Sequence, residues 1–313
     1  MIQNAEQISA AARKHGAVRL FRAVVLAAGC IAAAACSSAP KRPEVITDTY
    51  NLASVRLESG NTALAAADFT AAETHFAEAY RMALSIDNAG LLCRVLLSQV
   101  VWQCSVRTEQ AYGRADGLLE QAVMHAGRSE EKEMLQVLCS VYGLYIASCR
   151  RSVPQDYAAV LASAEKKLAK EPYYLGFVRH TLGDCHMTIP AYDKAYDAYR
   201  SAAEIHRQHL YLQEIGNDWY AAASACSLAG RRQEALDALE KALVFDRNAE
   251  NSAAIAADYF ALAQVYKKFS SGGDDIKKAA AYAQYAAAMY RSIQYEADAM
   301  KCEQFADAIL SQD

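Results

Sequence analysis

The stretch Trp219-Tyr220-Ala221-Ala222-Ala223-Ser224-Ala225-Cys226, followed at residue 235 by Ala235-Leu236-Asp237-Ala238-Leu239-Glu240-Lys241-Ala242, decides the fold. Apolar and small residues recur in steps of three and four, the spacing that gathers one face of an α-helix. Two such faces separated by a short Gly-Arg-Arg turn make a helical hairpin. One interval earlier stand Leu182-Gly183 and Ala195-Tyr196-Asp197-Ala198-Tyr199-Arg200-Ser201-Ala202; the same interval later stand Tyr259-Phe260-Ala261-Leu262-Ala263-Gln264-Val265-Tyr266. A Ser-Ser-Gly-Gly-Asp-Asp insertion then delays the second half to Ala281, Tyr285 and Ala288.

Outward from this core the pattern weakens but continues. Ala72, Phe76 and Ala79, then Ala115, Leu119 and Ala122, then Tyr157, Leu161 and Ala164 repeat the same spacing. Successive second helices thus start at Ala72, Ala115, Tyr157, Ala195, Ala235 and Ala281, in nearly equal steps. Pro154, Pro172 and Pro190 are evenly spaced, and proline is tolerated in the first turn of a helix, so they mark three helix starts. With only 5 Pro and 14 Gly in 313 residues, a β-sandwich of this size lacks the turn residues it needs. The expected fold is all-α.

The small-residue slots and the Ala–aromatic–Ala triplet resemble the tetratricopeptide repeat. In that family the first helix carries a bulky aromatic, Leu-Gly, then Tyr. Here Trp219 and Tyr259 take the aromatic slot, Leu182-Gly183 and Leu262-Ala263 the pair, and Tyr266 the last, while His186 and Cys226 depart from the pattern. A period of about 40 instead of the common 34 implies the longer-helix subtype; HEAT repeats share that period, but the triplet argues against them. The resemblance implies an α-solenoid superhelix of about six hairpins: degenerate ones over residues 50–172, well-matched ones over 173–293, and a capping helix over 294–313. One hairpin cannot bury its apolar face alone, and stacking supplies the missing surface.

Residues 1–35 differ from the rest. Arg13, Lys14, Arg19 and Arg22 precede an uncharged run from Ala23 to Ala35, the layout of an export signal too short to span a bilayer. Cys30 and Cys36 each follow small residues in a way that resembles a bacterial lipobox, although Ala stands three places before each. Cys36 is favoured over Cys30, because residues 36–49 then form a polar, Pro-containing tether whereas cleavage at Cys30 leaves an apolar Ile-Ala-Ala-Ala-Ala start. The resemblance implies an acylated lipoprotein facing the periplasm, with Ser37 pointing to the outer rather than the inner membrane. The chain's net charge of −4 argues against a nucleic-acid partner, and without residues 1–35 it carries 28 Lys and Arg against 35 Asp and Glu, a net charge of −7.

A solenoid presents its first helices on a concave face. Opposite the packing residues stand His180 and Asp184, Tyr220 and Ser224, Phe260 and Gln264, each pair one helical turn apart and each set one repeat from the next. These form two expected rows, flanked by Phe177, Asn217 and Lys267, in a mixed aromatic and polar groove suited to a peptide.

No cofactor or metal is expected, and no phosphate-binding, metalloprotease or hydrolase motif occurs. Ser163-Ala-Glu-Lys166 matches SxxK without its companion motifs. His206 and His209 would need Asp184, Cys185 or His186 to complete a metal site, a thin basis. Seven further cysteines lie mostly in apolar runs and read as core, with Cys104–Cys139 or another single bridge left open. The expected function is a non-catalytic, membrane-anchored scaffold for a protein partner in the cell envelope; the alternative is an accessory solute-binding subunit of a transporter.

Overall fold

The computed structural model describes residues 47–311, in which thirteen α-helices follow one another with short turns between them. They pair as antiparallel hairpins: α1 (Asp48–Ala65) with α2 (Phe69–Ser85), α3 (Ala89–Ser105) with α4 (Glu109–Arg128), and α5 (Lys132–Cys149) with α6 (Tyr157–Lys167). Then come α7 (Pro172–Thr188) with α8 (Tyr192–Gln208), α9 (Leu212–Leu228) with α10 (Arg232–Asn248), and α11 (Ser252–Lys268) with α12 (Gly273–Ser292). The last helix, α13 (Glu296–Leu310), packs on α12. First helices of successive hairpins also touch, α3 with α5 and α5 with α7, so the hairpins stack into a tetratricopeptide-like solenoid. The signal, Cys30, Cys36 and the tether up to residue 46 lie outside the described residues. None of the described helices is long and apolar enough to cross a membrane.

The turns explain why so few glycines suffice. Ala67, Asp87, Arg107, Leu210 and Glu250 each close a helix with a positive φ, between 47° and 58°, and Gly230 does so at 81°. Around Leu210 the Tyr211 N–H donates to the His206 carbonyl and the Leu210 N–H to that of Arg207, which satisfies the helix's last carbonyls. Starts are fixed by side chains: Asp68, Asn88, Thr108 and Asn251 accept from the backbone N–H three residues on, at 2.8 to 3.2 Å. Each such cap is worth about 1 kcal/mol. Pro172 is the first residue of α7, and Pro154 and Pro190 stand just before α6 and α8.

Packing follows the repeat. Gly183, Ala223 and Ala263 are all buried where α7, α9 and α11 meet their partners. At Gly183 the backbones approach closely, since a β-carbon there would stand 2.5 Å from the Tyr199 ring. Trp219 is half-buried between α8, α9 and α10, with the Lys241 ammonium 4.1 Å from its ring centre. Six of the seven described cysteines are buried and Cys149 is half-buried. Of the neighbours left open by the sequence, Cys139 faces Cys93 and not Cys104, because parallel first helices α3 and α5 meet in a register that puts Cys104 beside Cys149.

Candidate functional site

The helices α7, α9 and α11 are each 17 residues long. Their starts at Pro172, Leu212 and Ser252 and their ends at Thr188, Leu228 and Lys268 are offset by one and the same repeat length. Residues one repeat apart therefore occupy equivalent positions on consecutive hairpins. His180, Tyr220 and Phe260 are all half-buried, and Asp184, Ser224 and Gln264 stand one turn further along, half-buried, half-buried and exposed.

What the two rows do differs from hairpin to hairpin. His180 is committed to a polar network: its Nδ1 lies 2.6 Å from Oδ1 of Asp218, and the other Asp218 oxygen lies 2.7 Å from Nδ1 of His206. Asp184 accepts a 2.7 Å hydrogen bond from the Tyr199 hydroxyl and lies 3.8 Å from Nε2 of His180. Asp218 and His206 are almost fully buried. Burial opposes protonation of His180, but Asp184 and the hydrogen-bonded Asp218 outweigh it and raise the imidazole to about 9. Burial also raises the Asp184 carboxyl, against the pull of His180. These groups brace α7, α8 and α9 against one another.

Phe177, expected beside the groove, packs on Tyr142 and Tyr145 at 4.7 and 5.7 Å and belongs to the core between hairpins. Phe260 meets Phe305 of α13 edge-on at 5.3 Å, with Lys301 near its ring. The Ser224 hydroxyl donates to the Tyr220 carbonyl of its own helix. Asn217 is exposed and Lys267 half-buried. Gln264 in the rows and Asn217 beside them are exposed, and Tyr220 is half-buried between them.

Several contributors had no sequence signal of their own. Asp218 sits beside Trp219 in a packing segment, and only the two histidines around it reveal its role. Glu58 of α1 acts electrostatically on Tyr173 of α7, and Arg107, in the turn after α3, on Tyr220 of α9. The solenoid is wound tightly enough to bring early hairpins opposite later ones. Its ends also meet: Asn251 Nδ2 donates to the Ala65 carbonyl at 3.2 Å, and the Tyr295 hydroxyl to the Ala66 carbonyl at 2.8 Å.

The metal candidates are dispersed. His206 faces Asp218, His209 is exposed, Cys185 is buried, and His186 Nδ1 lies 3.0 Å from the Tyr157 hydroxyl. Among the described residues no three His, Cys, Asp or Glu side chains gather as a metal site would require. Two concavities of about 450 Å³ are lined by other residues, one by Val55, Glu58, Thr62 and Asp68 and one by Glu133, Gln136, Ser140 and Lys167.

No family model matches the chain, and no curated protein matches it. Among solved structures, the apo form of RapI is similar in fold, with a TM-score of 0.52 and 14% identity over 83% of this chain and 72% of that one. Aspartyl phosphate phosphatase F from Bacillus subtilis aligns with a TM-score of 0.46 and 10% identity, over 82% of this chain and 70% of that one. The likeness to RapI is one of fold.

Proposed function

We propose that this chain is a non-catalytic repeat scaffold that holds a protein or peptide partner on its concave face, outside the cytoplasm, tethered to the membrane through an acylated Cys36. The observation that carries the reading is the equivalence of His180, Tyr220 and Phe260 on three consecutive first helices. Side chains in one register make a continuous strip, and an extended or helical peptide reads a strip through residues at regular spacing. Tyr220 supplies an aromatic surface, while Asn217 and Gln264 supply amide donors and acceptors beside it. The anchor rests on the basic, apolar and small-residue order of residues 1–35 and on the polar tether that follows.

The test is crosslinked capture from the native envelope by the full chain and by the Tyr220→Ala/Phe260→Ala double variant, both checked for helical content. Loss of at least about tenfold in recovery of one defined partner is expected, since buried aromatic anchors are each worth roughly 2 kcal/mol or more. Equal recovery by both chains refutes the groove. For the anchor, Cys36→Ala should move the protein from the detergent phase to the aqueous phase; if the variant stays with detergent, Cys36 is not the lipidated residue.

A further inference from the structure

Helices α3 and α5 run parallel as first helices of consecutive hairpins, and each carries two cysteines at matching heights. The Cys93 and Cys139 sulfurs are 4.0 Å apart, in van der Waals contact and buried. Cys104 and Cys149 neighbour each other at the other end, close enough for each thiol to act on the other. Along each helix the two cysteines are separated by about three turns, roughly 16 Å of rise. Pairs at two heights show that the two helices keep one register along their length, with the cysteines of one beside those of the other. A disulfide needs its sulfurs about 2.0 Å apart, so closing the Cys93–Cys139 pair takes an approach of about 2 Å shared between two helices.

We propose that α3 and α5 form a two-rung disulfide site, with Cys93 joined to Cys139 and Cys104 joined to Cys149 when the protein meets a disulfide oxidant such as glutathione disulfide. The reaction starts at Cys149, which is half-buried at the last residue of α5 while its partner is sealed. Cys149 is therefore the thiol of this pair that an oxidant in solution reaches first. The Cys149 thiolate attacks one sulfur of glutathione disulfide and expels a glutathione thiolate, leaving a mixed disulfide. Cys104 then gives its proton to the expelled thiolate and attacks the Cys149 sulfur, releasing the second glutathione. Two protein thiols are oxidised by two electrons and one glutathione disulfide is reduced to two thiols. The inner pair reacts in the same way as the helices open locally. The crosslinks fix the angle between consecutive first helices, and that angle sets the curvature of a solenoid. The inference stands apart from the groove and the anchor.

The experiment incubates the reduced, purified full chain with glutathione disulfide until its thiol count is constant, then alkylates and digests it without reductant. Trypsin separates Cys93 from Cys104 at Arg94, and chymotrypsin separates Cys139 from Cys149 at Tyr142 and Tyr145. Peptides joined Cys93–Cys139 and Cys104–Cys149 are the expected result. Persisting thiols at either pair, a glutathione adduct that never closes, or a Cys104–Cys139 crosslink would overturn the proposal. Each bond closes a loop of roughly 45 residues, so the oxidised protein should melt about 5–10 °C higher, and dithiothreitol should abolish the gain. Crosslinked protein melting at the reduced temperature would place the bonds outside the native helix pair, and would equally overturn it.

Discussion

Gly176 of α7 lies directly against the imidazole of His206 on α8, so closely that a β-carbon at residue 176 would overlap the ring. The ring cannot swing aside, because Asp218 holds its Nδ1 at 2.7 Å and Tyr173 and Tyr211 flank it. Gly176→Ala should therefore cost about 2–4 kcal/mol, through overpacking and a broken buried network. Gly113→Ala is the control, since no atom lies within 4 Å of its added methyl. Urea unfolding of both variants checks this, and equal midpoints would mean that α7 and α8 separate freely.

The equivalent contact one repeat later shows what the sequence displayed and what it concealed. Gly216 lies against Asp246 as Gly176 lies against His206, and Asp246 meets Asp258 as His206 meets Asp218. Small and aromatic residues at fixed spacing exposed the hairpins, because every repeat must solve the same packing problem. A polar pair inside that packing has no periodic signature: one repeat uses His and Asp, the next two Asp. The end-to-end contact at Asn251 and Tyr295 was equally hidden, since it depends on the sum of small rotations over the whole array. Helix ends were obscured for another reason: Ala67, Asp87 and Leu210 occupy left-handed positions where a reader looks for glycine.

Asp258 is fully buried, with the Asp246 carboxyl as its neighbour. Burial raises its pKa, and the neighbouring Asp246 carboxylate raises it further, so the pair holds a proton well above the ordinary carboxylate range. A raised folded value means that the pair's contribution is complete below about pH 4 and is lost as pH rises through the folded value. Asp258→Asn removes the need for that proton. The variant should gain on the order of 1 kcal/mol over wild type at about pH 8 and lose the advantage at about pH 4 to 5. Melting curves at both pH values decide it.

His180 behaves in the opposite chemical sense but with the same sign of linkage. Its folded value of about 9 stands above the ordinary 6.5. The stabilisation is therefore fully present below about pH 6.5 and is lost as pH rises through 9, and it amounts to roughly 3 kcal/mol for a mostly buried imidazole. The deficit of His180→Gln relative to wild type should shrink steadily between about pH 6.5 and 9.5. A pH-independent deficit would show that the imidazole acts through packing alone.

Leu210 is 74% exposed and adopts φ 58° at the end of α8. An L-residue with a side chain pays about 1 kcal/mol for that conformation, while Leu210 gains little from packing. Leu210→Gly should raise stability by about 0.5–1 kcal/mol, or roughly 2–3 °C in Tm. A lower Tm would mean that the leucine packs in solution against something absent from this fold.

The contact between the ends of the solenoid makes a different kind of demand. Two hydrogen bonds to the Ala65 and Ala66 carbonyls are too few to decide folding, since each contributes about 1 kcal/mol net. Yet they join residues 186 and 229 positions apart in sequence, linking the first hairpin to the last ones. Nearest-neighbour stacking in a solenoid leaves the end-to-end distance soft, because small angular changes accumulate along the array. Tyr295→Phe with Asn251→Ser, which retains an N-cap oxygen for α11, should leave Tm nearly unchanged and increase the radius of gyration in small-angle scattering. If the face admits a peptide only when the ends part, the same variant should also bind its partner faster. An unchanged radius would assign closure to the stacking of the hairpins themselves, with the two hydrogen bonds following from it.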